Sequence, residues 1–168
     1  MSECITILNT QTINIIEHWL AKFPENQRRS AVLAALTAAQ NQNQGWLTHE
    51  LMDAVADYLQ IPKVWVYEVA TFYDMYDLQP VGQYKIRLCT NVSCMLRGCD
   101  KIATHLKQRL AIDFNETTLD GLITLKEAEC LGACANAPMM AVNLDYHVDL
   151  TPEKVDAVLE ALAQRDNK

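Results

Sequence analysis

The chain has 168 residues, 50% of them hydrophobic and 21% charged, which is the composition of an ordinary globular protein of one domain or two small ones. Fourteen Lys+Arg against twenty-one Asp+Glu leave a net charge of −7, with no basic run to track a phosphate backbone, so nucleic acid is excluded as an expected partner. The longest weakly polar run, residues 31–39, is far short of the roughly 20 residues that cross a bilayer, so no direct membrane insertion is expected. The start, Met1-Ser2-Glu3-Cys4-Ile5, has an acid where a secretory signal would carry lysines, and a cytoplasmic location is expected. There the six cysteines are expected as metal or redox groups and not as structural disulfides.

The first half reads as helices. Ile13, Ile16, Trp19, Leu20 and Phe23 recur at helical spacing until Pro24 stops the pattern. Residues 31–40 are rich in helix formers and end in a Gln/Asn stretch before Gly45. Thr48 is placed to cap a third helix carrying Leu51, Met52, Val55, Tyr58 and Leu59. Residues 63–73 are read as a short helix with Pro62 at its start. The three tryptophans, Trp19, Trp46 and Trp65, are expected in core or subunit packing.

The pattern changes at Gln79-Pro80-Val81-Gly82, dividing the chain into a helical part, 1–79, and a second part, 80–168. Residues 84–88 alternate as a strand, and 100–110 return to helical spacing. Asp120-Gly121 marks a turn between strand-like runs 117–119 and 122–125. Residues 139–144 and 147–150 read as a strand pair. Thr151-Pro152-Glu153 opens a last helix that buries Val155, Val158, Leu159 and Leu162.

Four cysteines form two close pairs, Cys89-x₄-Cys94 and Cys130-x₃-Cys134, separated by thirty-five residues that can fold back. The spacing lets two loops offer four thiolates to one site. It lacks the C-x₂-C of zinc knuckles, of thioredoxin dithiols and of plant-type ferredoxins. Spacing alone leaves a [2Fe–2S] cluster and a Cys₄ zinc site both open. Cys99, Cys4 and the four histidines (His18, His49, His105 and His147) are read as incidental.

The segments from Leu88 to Gly98 and from Glu129 to Met140 resemble the signature of the thioredoxin-like [2Fe–2S] ferredoxins. Among these the similarity is strongest to the small iron–sulfur subunit of the NADH-dehydrogenase module of respiratory complex I. Gln42-Asn43-Gln44-Gly45-Trp46-Leu47, Val66-Tyr67-Glu68-Val69-Ala70-Thr71-Phe72-Tyr73 and Gln79-Pro80-Val81-Gly82 are similar to that family's N-terminal part. Ser93 stands where many members carry proline, a departure that removes no ligand.

The resemblance implies an α+β chain: an N-terminal helical bundle followed by a thioredoxin-like α/β domain. It implies one [2Fe–2S] cluster on Cys89, Cys94, Cys130 and Cys134. The implied role is electron transfer within an NADH:quinone oxidoreductase, with one electron stored off the main chain of centres. FMN and NADH would be bound by a larger partner subunit, since this chain has five glycines and no G-x-G-x-x-G. Further iron–sulfur subunits would follow, and the assembly would sit against the inner membrane. The isolated chain is not expected to oxidise NADH. The equivalent diaphorase subunit of an NAD-linked hydrogenase or formate dehydrogenase shares the signature, and a zinc-stapled adaptor is the non-redox alternative.

A cluster on four thiolates is anionic, so a rather low potential is expected. Gly98 and Gly132 are expected to let the backbone approach it, and Arg97 and Lys101 are the nearest candidate cations. Met139 and Met140 are candidates for covering it, and Pro138 resembles the thioredoxin-fold proline, where a cis bond is common.

Overall fold

The structure is a computed structural model, and it describes residues 7–166. It divides into two compact units, one ending at Pro80 and the other beginning at Val81. Among the described residues, no helix is long and apolar enough to cross a membrane.

The first unit is all helical. Helix α1, Thr10–Leu20, starts at Asn9, whose side chain accepts from the Thr12 N–H. Pro24 ends the pattern as expected, and a 3₁₀ segment, Glu25–Ala31, bends at Gln27 before α2, Val32–Gln42. Helix α3, His49–Leu59, is capped by the Thr48 side chain, which accepts from Leu51 N–H, and ends at Gln60 in the left-handed region. Arg28 serves its last turn: Nε donates to Leu59 O at 2.9 Å, and Nη2 to Tyr58 O at 3.0 Å. Those carbonyls have no partner within the helix, and the guanidinium also suits the negative end of the helix dipole.

Helix α4, Lys63–Phe72, follows Pro62. It is a helix despite its valines because Val66 and Ala70, four apart, are buried while Val64 is exposed. The core gathers Ile16, Leu36, Leu47, Met52, Val55, Leu59 and Val66. Of the expected core or subunit packing, the core is ruled out for two of the tryptophans. Trp19 and Trp65 are exposed, each lying under a cation, Lys22 Nζ at 3.8 Å and Arg29 Cζ at 4.4 Å respectively.

The second unit is a five-stranded mixed sheet with helices. Its elements are β1 (Tyr84–Cys89), α5 (Val92–Leu96), α6 (Cys99–Leu110), β2 (Glu116–Thr117), β3 (Ile123–Ala128), β4 (Met140–Val142), β5 (Asp145–His147) and α7 (Pro152–Asp166). The strand order is β2-β3-β1-β4-β5. β1 and β3 are parallel, from Tyr84 opposite Ile123 to Cys89 opposite Ala128, and the other pairings are antiparallel. Ile102 and Leu106 of α6 and Val155, Leu159 and Leu162 of α7 bury Ile86, Leu88, Leu125 and Met140 of the sheet.

Gly82, just before β1, is where close approach demands glycine: a Cβ there would stand 2.8 Å from Leu122 O. Its N–H donates to the buried Thr124 hydroxyl at 2.6 Å.

Several strand boundaries differ from the sequence reading, β3 among them, which runs on to Ala128. The turn after β2 begins at Thr118, so Leu119 is exposed and unpaired; the Asp120 carboxylate accepts from the Thr118 hydroxyl and from Leu122 N–H. β4 stops at Val142 because Asn143, at φ 53°, opens a two-residue hairpin. The second strand of that hairpin is Asp145–His147 and not 147–150. Asp149 and Leu150 donate instead to Asn136 O and Pro138 O, leaving the sheet to close the preceding loop.

Asp156 of α7 lies 2.9 Å from His105 Nε2 and 2.8 Å from Arg109 Nε, which ties α7 to α6. The His105 hydrogen bond first, and then the Arg109 charge, hold the Asp156 carboxyl below the ordinary carboxylate range. A carboxyl depressed on folding adds stability above its unfolded pKa, and that contribution is lost as pH falls through the folded value. Below about pH 4, the parent chain is therefore expected to lose melting temperature more steeply than Asp156→Asn. Parallel pH profiles for the two proteins would contradict this.

Candidate functional site

The parallel pairing of β1 and β3 sends both strands out at the same end of the sheet, and each continues into a loop bearing two cysteines. Cys89 is the last residue of β1; its N–H donates to Met139 O, and the next N–H, of Thr90, donates to Ala128 O, both at 3.1 Å. Asn91 then works twice. Its side-chain oxygen caps α5 by accepting from Val92 N–H, and its Nδ2 donates to the Glu129 carboxylate at 2.6 Å. The first loop is thereby fastened to the second. Helix α5 turns Cys94 inward and leaves Val92, Met95 and Leu96 exposed.

Gly98 at φ 87° ends this loop and leads into α6, where Cys99 is fully buried. The second loop runs from Ala128 through Cys130, Gly132 (φ 87°) and a 3₁₀ turn, Cys134–Asn136, to the cis Ala137–Pro138 bond and β4. Arg97 Nε donates to Ala137 O at 3.0 Å, a second bond between the loops.

The thiols stand as two doublets. Cys130 Sγ and Cys134 Sγ are 3.3 Å apart and exposed, while Cys89 and Cys94 are both buried. The loops that carry the doublets are joined by the Asn91–Glu129 and Arg97–Ala137 bonds. Among the described residues, no three His, Cys, Asp or Glu side chains gather as one metal ion would need. Cys99 packs behind the first doublet with Ala137 and Met139, and Met140 lies in the sheet core. Cys4 is outside the described residues. His49 stacks on Tyr67, and His105 pairs with Asp156.

Each thiol's acidity follows its surroundings. Burial first, and then the neighbouring Cys89 thiol, push Cys94 up to about 11. Burial also raises Cys99, with the Asp100 charge adding to it. The Gly132 N–H lowers Cys130, helped by Cys134, and Cys134 is raised in turn by its bond to Cys130. Because metals are bound by thiolates, a metal at this site must displace these protons.

Gly98 and Gly132 supply a backbone angle that L residues rarely adopt, and a Cβ at either would meet no other protein atom within 4 Å. Arg97 is a tie between loops through its bond to Ala137 O. The sequence reading missed α5, although Asn91 ahead of Val92 was a legible cap.

The chain belongs to the thioredoxin-like [2Fe–2S] ferredoxin family, whose profile matches residues 16–163. Its cofactor is accordingly one [2Fe–2S] cluster.

Among particular proteins, it is 46% identical over 150 residues to the E-type subunit of NADH-quinone oxidoreductase from Rickettsia typhi (strain ATCC VR-144 / Wilmington), covering 89% of this chain and 88% of that one. To the second E-type subunit of NADH-quinone oxidoreductase from Rhizobium meliloti (strain 1021) it is 46% identical over 146 residues, covering 87% of this chain and 85% of that one. The structure is similar to that of an NAD⁺-reducing [NiFe]-hydrogenase in the air-oxidized state, with a TM-score of 0.66 at 22% identity. That match covers 77% of this chain but only 23% of the hydrogenase chain, and it speaks for the fold alone.

Replacing Arg97 by Met keeps the aliphatic stem and removes the bond between the loops. Arg97→Met is expected to lower stability by about 1 kcal/mol in urea unfolding of the cluster-free chain. An unchanged midpoint would show that the bond contributes nothing.

Proposed function

We propose that Cys89, Cys94, Cys130 and Cys134 are the four ligands of the [2Fe–2S] cluster, each doublet serving one iron. The observation that carries this is the pairing itself. A single zinc ion requires four donors about one point, whereas a diiron centre requires two per iron, with sulfides between. The donors are soft thiols, and they lie on two adjoining loops fastened by Asn91 and Arg97. They fit the group on chemistry and on number.

When bound, the cluster supplies one-electron redox chemistry. The chain's own residues hold and shield it. The Gly132 N–H lowers the Cys130 thiol and the Met139 N–H acts in the same direction on Cys94, each offering positive dipole to an anionic site. Met139 and Ala137, both buried, keep water from the inner doublet. The outer doublet is exposed and leaves a side open toward a partner. In this reading the cluster belongs to the part from residue 80 onward, with residues 1–79 as a separate helical part.

The chain acts as an electron-transfer subunit of an NADH:quinone oxidoreductase, exchanging single electrons with the flavin of an NADH-binding partner subunit. That assembly meets the inner membrane without this chain inserting in it. The relatives named as E-type subunits of NADH-quinone oxidoreductase, similar along nearly their whole length, support this above a hydrogenase diaphorase.

The test is ligand substitution read by visible absorbance and by EPR after dithionite reduction. Cys94→Ser or Cys130→Ser is expected to abolish or shift the cluster spectrum, whereas Cys99→Ser leaves it intact. The reverse pattern would overturn the ligand assignment.

A further inference from the structure

The two doublets differ in access. Cys89 and Cys94 are each 2% exposed, and Cys99, behind them, is sealed. Cys130 and Cys134 are both exposed, on a loop that turns through Gly132 with open space around it. Their sulfurs are 3.3 Å apart, and a disulfide bond is about 2.05 Å, so about 1.2 Å of approach would close it. A dissolved oxidant can reach this pair while the inner thiols stay covered.

We propose that, in the chain that has not yet received its cluster, Cys130 and Cys134 form a reversible disulfide that closes the site to cluster loading. The inference rests on the ligand reading above. The oxidant it names is a low-molecular-weight disulfide of the glutathione class. One cysteine thiolate attacks it, the oxidant's S–S bond breaks, and one glutathione thiolate leaves. The other cysteine then attacks the mixed disulfide, the protein S–S bond forms, and the second glutathione leaves. Two cysteine thiols are oxidised, one small disulfide is reduced to two thiols, and the two cysteine protons end on the glutathiones. Exposed disulfides of this kind are the readily reduced ones, so a thiol reductant reopens the pair. While closed, the sulfurs carry no thiolate charge, and half the donors are withdrawn from iron.

The experiment uses the full chain stripped of its cluster under anaerobic conditions and titrated with glutathione disulfide. Free thiols are then alkylated, the peptides mapped by mass, and uptake of iron and sulfide followed by absorbance. The expected result is the loss of two thiols mapping to Cys130–Cys134, with Cys89, Cys94 and Cys99 alkylated only after unfolding. Cluster uptake is lost together with those thiols and returns with dithiothreitol. Cys134→Ser is expected to stop at a stable glutathione adduct on Cys130. A first disulfide that involves Cys89, Cys94 or Cys99, or two thiols that stay free, would overturn the proposal. A Cys130–Cys134 disulfide that leaves uptake intact would overturn the gate through the ligand assignment, while leaving the thiol pairing established.

Discussion

The arrangement depends on one backbone pairing, the parallel register of β1 and β3. An antiparallel pair would send the two strand ends to opposite edges of the sheet; a parallel pair delivers both to the same edge. Cys89 opposite Ala128 is the last rung of that ladder, and beyond it the two cysteine loops begin side by side. A parallel pair needs a crossover, and α6 supplies it, burying Ile102 and Leu106 on the sheet. The thirty-five residues between the doublets are the physical means by which the doublets meet.

Upon that frame the loops are fixed by few bonds. Asn91 to Glu129 and Arg97 to Ala137 O join one loop to the other, and Leu150 and Asp149 close the second loop from behind. Left-handed turns at Gly98 and Gly132 give the chain its reversals without crowding the sulfurs. The result is graded: an inner doublet packed against Met139 and an outer one open to solvent. The proposed electron-transfer role would use both features, a dry side to hold a centre and an accessible side for a partner.

Much of this was legible in the residues. Helix caps at Thr48 and at Thr151, the stop at Pro24, and the period of Ile102 and Leu106 are local signals, and they fell where local physics puts them. Residues 63–72 carry valines that suit a strand, yet burial at Val66 and Ala70 makes a helix of them. Less legible was anything decided by tertiary partners. Helix α5 spans five residues, too few to show a period. The strand pair near the C-terminus was misplaced because Leu150 bonds to the Pro138 loop, a contact with no local mark. Trp19 shared the helical spacing of core residues, but it lies outward beneath Lys22. The cysteine pairs were visible as spacing; their unequal exposure was not, since it depends on which loop Met139 and Ala137 cover.

The most direct measurement is the content of iron and acid-labile sulfide in the full chain, purified anaerobically and verified as folded. About two iron and two sulfide per chain are predicted, as one [2Fe–2S] centre requires. Folded chain carrying one zinc and no labile sulfide would contradict the account at its base.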